Sequence, residues 1–192
     1  MARTLSTMLP LGTQAPGFAL PDTNDHTVCL EDLADTSGLV VMFISNHCPF
    51  VIHLKAELTR FAKAYAGQIN VVAIGSNDVG KYPQDGPQAM STDRDEFGYP
   101  FPYLFDESQE TAKRYRAACT PDFYLFDGSL RLVYRGQFDG SRPGNDVPVT
   151  GIDLRQACDA LLSNAPLPEE QTPSMGCNIK WIPGNEPPYF ER

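Results

Sequence analysis

The sequence predicts one α/β domain with a central mixed sheet flanked by helices, on three observations. Leu39-Val40-Val41-Met42-Phe43-Ile44 and Asn70-Val71-Val72-Ala73-Ile74-Gly75-Ser76 are short, β-branched apolar runs with the length of buried strands. Between them, Val51, Leu54, Leu58, Phe61, Ala62 and Tyr65 recur every three or four residues, which predicts an amphipathic helix over about Val51–Ala66. Strand, helix and strand in that order make a βαβ unit with parallel strands. Farther on, the apolar run from Phe123 turns at Asp127-Gly128 into Leu130–Arg135, an antiparallel hairpin that makes the sheet mixed.

The remaining elements follow in chain order. Gly12–Asp22 reads as an extended lead-in with Phe18 and Leu20 alternating inward, closed into an N-terminal hairpin by about Thr27–Cys29. Leu30–Ala34 suits a short helix. The long helix ends at Gly67, a residue suited to the left-handed turn after a C-terminus. Residues 77–102 are polar and rich in Gly and Pro; they form a mid-chain insertion with a helix over about Pro87–Phe97, placed at the strand ends where open α/β sheets carry their sites. Tyr103–Asp106 is a strand and Glu107–Tyr115 a helix with Ser108 as its candidate cap. Residues 139–151 form a loop, and Asp153 caps a helix from Leu154 to about Ser163. The domain spans 1–164. Residues 165–192 carry six prolines together with Cys177, Ile179, Trp181, Tyr189 and Phe190, and are expected to be a C-terminal arm packed on the domain or on a partner subunit.

Composition narrows the function. The 192 residues are 42% hydrophobic with a net charge of -9, which disfavours nucleic acid and anionic membranes as partners, and no segment reaches the length of a membrane span. Five cysteines at irregular spacing do not make a disulfide framework, and with no secretory leader in view the expected compartment is the cytoplasm.

Among those cysteines, Cys48 stands apart. It lies between the first apolar strand and the following helix, with Pro49 in the first helical turn. Backbone N–H groups and the positive helix end there favour a thiolate, and a protonated His47 would add to the effect. Cys158 falls on the apolar face of its helix and reads as a core residue, as does Cys29.

The element order, together with Asn46-His47-Cys48-Pro49-Phe50-Val51, Cys119-Thr120-Pro121-Asp122-Phe123 and the tail Gly176-Cys177-Asn178-Ile179-Lys180-Trp181, resembles the thioredoxin fold in its redoxin form, the alkyl hydroperoxide reductase/thiol-specific antioxidant family. The resemblance implies a thiol-dependent redox activity with Cys48 as nucleophile. It puts Pro121 on the thioredoxin cis-proline, with Thr120 lining the site, and makes Ser45 the hydroxyl of a Thr/Ser-x-x-Cys motif. Arg131 matches the arginine that stabilises the thiolate in peroxiredoxins, with Arg135 and Arg142 as alternatives. Two positions depart from the pattern: Val51 stands where thioredoxins have their second cysteine, and Val41 where peroxiredoxins have a proline.

With Val51 unable to resolve an oxidised Cys48, the candidates are Cys119, two residues before Pro121, Cys177 in the tail, or an outside thiol. Cys119 is favoured, because a short loop beside Pro121 needs no ordering of a proline-rich segment. The expected partners are a peroxide or protein disulfide as substrate, an external thiol reductant (thioredoxin-like or of low molecular weight), and a second copy of the chain if the arm crosses between subunits. No cofactor and no metal are expected. The competing reading is a redoxin-fold binding or assembly module.

Overall fold

The computed structural model describes residues 3–168 and 170–190. The strands are Arg3–Leu5 (β1), Ala19–Pro21 (β2), Thr27–Cys29 (β3), Gly38–Phe43 (β4), Ile69–Gly75 (β5), Tyr103–Phe105 (β6), Cys119–Thr120 (β7), Asp122–Asp127 (β8), Leu132–Gly136 (β9) and Met175–Asn178 (β10). The α-helices are Pro49–Ile52 (α1), Lys55–Ala64 (α2), Pro87–Phe97 (α3), Glu110–Arg114 (α4) and Ile152–Leu162 (α5).

Five strands form the central sheet in the order β6-β5-β4-β8-β9, with β4, β5 and β6 parallel and β8 and β9 antiparallel to their neighbours. This is the mixed sheet of the thioredoxin-like fold, preceded by the β2–β3 hairpin. The middle strand β4 is buried along its whole length. Because side chains alternate across a strand, Val40 and Met42 enter the core with Leu58 and Phe61 of α2 and Leu154, Ala157 and Cys158 of α5, while Leu39, Val41 and Phe43 face a second core with Tyr115, Tyr124 and Phe126. Burial on both faces is why this strand reads as an unbroken apolar run.

Local structure departs from expectation at the helices. The helix after β4 is broken at His53–Leu54, where hydrogen bonds from Leu54 N to Val51 O and from Glu57 N to Leu54 O replace the regular spacing. At the break His53 reaches Ser141, and Lys55 turns inward to Asp93 and the carbonyl of Asn46. Helix α4 is capped twice: Ser108 Oγ accepts from Glu110 N at 3.3 Å, and the Asp106 carboxylate accepts from the N–H groups of Thr111 and Ala112. Asp153 does not cap α5 but lies in its first turn and accepts from Gln137, while Asp139 accepts from Thr150 N and Gly151 N at 2.7 and 2.6 Å just ahead of the helix. Cys29 is half-buried on β3.

The tail forms a second sheet. β10 runs between β1 and β7, antiparallel to both, so the segment preceding Pro121 is clamped by the tail. Beyond it, Ile179 and Trp181 are buried in the second core, and Tyr189 donates to the carbonyls of Ala112 and Ala117. The described part of the arm therefore packs on its own domain.

Candidate functional site

Cys48 caps α1 with an extended backbone (φ -69°, ψ 119°) and its side chain is 1% exposed. Pro49 begins the helix without needing a backbone donor. Across from it, Thr120–Pro121 is a cis peptide, and the Thr120 carbonyl lies 3.0 Å from the Cys48 sulfur, where it accepts the thiol proton. Against that acceptor, the Cys177 thiol and backbone N–H, the Thr120 hydroxyl and the Val51 N–H all favour the Cys48 anion. The hydrogen bond from the Cys177 thiol is the largest influence, and with the other donors it outweighs burial and holds Cys48 well below the ordinary thiol range. The same contact pushes Cys177 up, since the proton on its sulfur is the one shared with Cys48.

Strand register explains which cysteine meets Cys48. Cys177 pairs with Thr120 and Asn178 with Cys119, so Cys177 and Thr120 share one face and Cys119 takes the other. Accordingly Cys119 is fully buried, its sulfur turned to the carbonyls of Pro121 and Ser174, and burial pushes its thiol well up. The expectation favouring Cys119 assumed that nearness to Pro121 would suffice; strand parity turns the side chain away. Gly176 makes the arrangement possible, because a Cβ there would lie 1.9 Å from the Thr120 carbonyl oxygen.

Arg131 is not part of the site. It is exposed at the hairpin turn beside Asp127, hydrogen-bonded to the Gly12 carbonyl. Asp127 pairs with Gly38 and Asp122 with Phe43, so the turn lies at the opposite end of β4, on the order of 16 Å from the Cys48 end at ~3.3 Å per residue. Arg142 instead stands near Pro121. Its guanidinium is anchored to the carbonyls of Asp139 and Ser141, and it lines a shallow hollow with Pro121, Phe50, Phe123 and Met175.

The loop before Cys48 is held by a residue that sequence reasoning missed. Asp85, buried in the insertion, accepts from Ser45 Oγ at 3.0 Å, Asn46 N at 2.8 Å, Asn77 Nδ2 at 2.8 Å and His47 Nδ1 at 2.6 Å. Ser45 thus spends its hydroxyl proton on Asp85, and His47 is committed to Asp85 and stacked on Tyr82 at 5.3 Å. Neither is among the donors that lower Cys48. Asn46 is fixed from three further sides, by the Gln84 carbonyl, Tyr103 and Lys55. An acidic residue in a polar insertion carries no sequence signal for this task.

A buried cysteine at the head of the first helix, opposed by a cis-proline on a sheet of this order, defines a redoxin of the thioredoxin fold. The chain belongs to the AhpC/TSA family, whose profile matches residues 11–135. It is 28% identical over 140 residues, 71% of this chain and 84% of the other, to a Mycobacterium tuberculosis protein named provisionally as a peroxiredoxin. The crystal structure of an uncharacterized conserved protein from Geobacillus kaustophilus is 54% identical and superposes with a TM-score of 0.94 over 96% of this chain and 98% of that one. At the level of fold alone, a secreted disulfide oxidoreductase of Mycobacterium tuberculosis aligns with a TM-score of 0.58 at 16% identity, over 74% of this chain and 95% of that one. No helix among the described residues is long and apolar enough to cross a membrane.

Proposed function

We propose that the protein is a thiol-dependent oxidoreductase in which Cys48 is the nucleophile and a peroxide is the oxidising substrate. The observation that carries this reading is the place of the buried Cys48 at the head of α1, against the cis Thr120–Pro121 peptide and Cys177, where its surroundings favour the thiolate. A sulfur 1% exposed suits a small oxidant. In the reaction the thiolate attacks one peroxide oxygen, the O–O bond breaks, the leaving oxygen takes a proton as alcohol or water, and Cys48 becomes a sulfenic acid. An external thiol then supplies the two electrons that restore it. The five unbridged cysteines fit a reducing compartment such as the cytoplasm, where such thiols abound.

A second reading, attack on a protein disulfide, is favoured by the cis Thr120–Pro121 peptide facing Cys48, beside a shallow hollow lined by Phe50, Pro121 and Arg142. Peroxide consumption and disulfide reduction, each run on wild type and Cys48→Ser with a panel of thiol reductants, decide between them. Peroxide turnover that disappears in the variant is expected. Inactivity of the wild type in both assays would leave the binding or assembly module.

A further inference from the structure

We infer that Cys177 is the resolving thiol of Cys48 within the same chain, so that the working redox couple is an intrachain Cys48–Cys177 disulfide and its dithiol. The inference rests on the reading of Cys48 as nucleophile and adds the residue that completes its cycle.

Three observations carry it. Cys177 pairs with Thr120, whose carbonyl lies 3.0 Å from the Cys48 sulfur, and the two thiols shift each other's titration, so they are already neighbours. Forming a bond of ~2.05 Å asks for a small sulfur movement and no swing of the tail. Second, Cys177 is fixed there by backbone pairing on both sides, to Arg3 through β1 and to Thr120 through β7, so the ordering cost of bringing a distant segment to the site is met by folding itself. Third, both sulfurs are buried, at 1% and 3% exposure, which hinders an outside thiol from reaching a sulfenic acid on Cys48 before Cys177 does.

The chemistry also orders the steps. While Cys48 is a thiolate, its negative charge keeps the proton on Cys177. Once Cys48 has been oxidised the anion is gone, and Cys177 is released to lose its proton. Its sulfur attacks the Cys48 sulfur, the S–O bond breaks, and the departing hydroxide takes up the Cys177 proton as water. In sum, one peroxide and two thiols give one alcohol or water molecule, one further water and one disulfide. With a disulfide substrate, the same attack on the mixed disulfide at Cys48 expels the substrate's second thiolate. Two equivalents of an external thiol, or one dithiol, return the couple to its starting state.

Two oxidants separate this inference from the reading on which it rests. Diamide, which couples neighbouring thiols whatever the natural substrate, should give a Cys48–Cys177 peptide on non-reducing mapping, within the monomer, in wild type and in Cys119→Ala alike. Equimolar hydrogen peroxide should give the same link. In Cys177→Ser, peroxide should instead leave a Cys48 sulfenic acid trapped by dimedone, and multiple turnover with a dithiol reductant should fall at least tenfold. A Cys48–Cys119 link, a link between chains, or a persistent wild-type sulfenic acid would overturn the inference. A diamide link together with inertness to both peroxide and disulfides would leave the couple standing and remove the proposed function.

Discussion

Cys177 stands directly across from Thr120 in the pairing of β10 with β7, the Thr120 carbonyl lies 3.0 Å from the Cys48 sulfur, and both side chains favour the Cys48 anion. Because side chains on a strand alternate, a slip of one residue in β10 would present Gly176 or Asn178 at that point and leave Cys48 without its strongest donor. The surroundings of a cysteine in the first third of the sequence are thus set by the register of a strand near its end.

That relationship predicts a pH profile. The alkylation rate of Cys48 should reach its plateau with a midpoint below the ~8.5 of an ordinary thiol. Removing one donor in Thr120→Val should raise the midpoint by about one to two pH units, since a hydrogen bond to a charged group contributes about 1.5–3 kcal/mol. Because the folded-state value is depressed, the thiolate's contribution to stability is present above the unfolded pKa and lost as pH falls through the folded one. Cys48→Ser should lack that slope in urea melts; an unchanged profile in both variants would refute the assignment of donors.

Gly176→Ala should pull β10 from β7. The added carbon meets backbone, at 1.9 Å from the Thr120 oxygen and 2.6 Å from its carbon, so no side-chain rotation relieves it. A destabilisation of about 3 kcal/mol is expected, the upper part of the usual overpacking range, along with a rise in the Cys48 midpoint. Thermal melts and iodoacetamide kinetics on the same preparation measure the two effects.

Asp85→Ala should loosen the loop that presents Cys48. It strands the hydroxyl of Ser45, the amide of Asn46, the side chain of Asn77 and the ring of His47, at a cost of about 2–4 kcal/mol. Proteolysis near Asn46 should accelerate, and Asp85→Asn should fall between wild type and Ala in urea midpoint.

Asp122, next to Pro121, gives stability a pH dependence of the opposite sign. Burial raises its carboxyl to about 7, although the Tyr124 hydroxyl donates to it at 2.8 Å. Between about pH 4 and 7 the unfolded chain releases a proton that the folded one keeps, so stability falls as pH rises through that window, by up to about 4 kcal/mol, and is level above it. Asp122→Asn should flatten the curve, as measured by urea denaturation at a series of pH values.

How far the site was legible depends on how local each signal is. The βαβ unit and the hairpin are written in strand-length apolar runs and one turn dipeptide, and the structure has both. The position of Cys48 follows from its two flanking elements alone. The choice between Cys119 and Cys177 does not, because it depends on a pairing between β7 and β10 that no local pattern announces. Arg131 was misplaced for a reason the sequence did contain: the turn beside it lies a full strand beyond Pro121, and an antiparallel hairpin carries its turn away from the strand's start. Asp85 had no such signal, since all its partners but Asn77 come from a loop about forty residues earlier.

The placement of β10 also imposes an order of assembly. The central sheet closes with residues 38–136, but the three-stranded sheet joins Arg3–Leu5 to Met175–Asn178, nearly the whole chain apart. During synthesis the chain emerges from its N-terminus, so Cys48 leaves the ribosome well before the strand that activates it. Contacts of such long sequence separation form late. The nascent protein therefore passes through a stage with the fold largely built and Cys48 still without Cys177 beside it, and the two meet only when the tail strand zips into place.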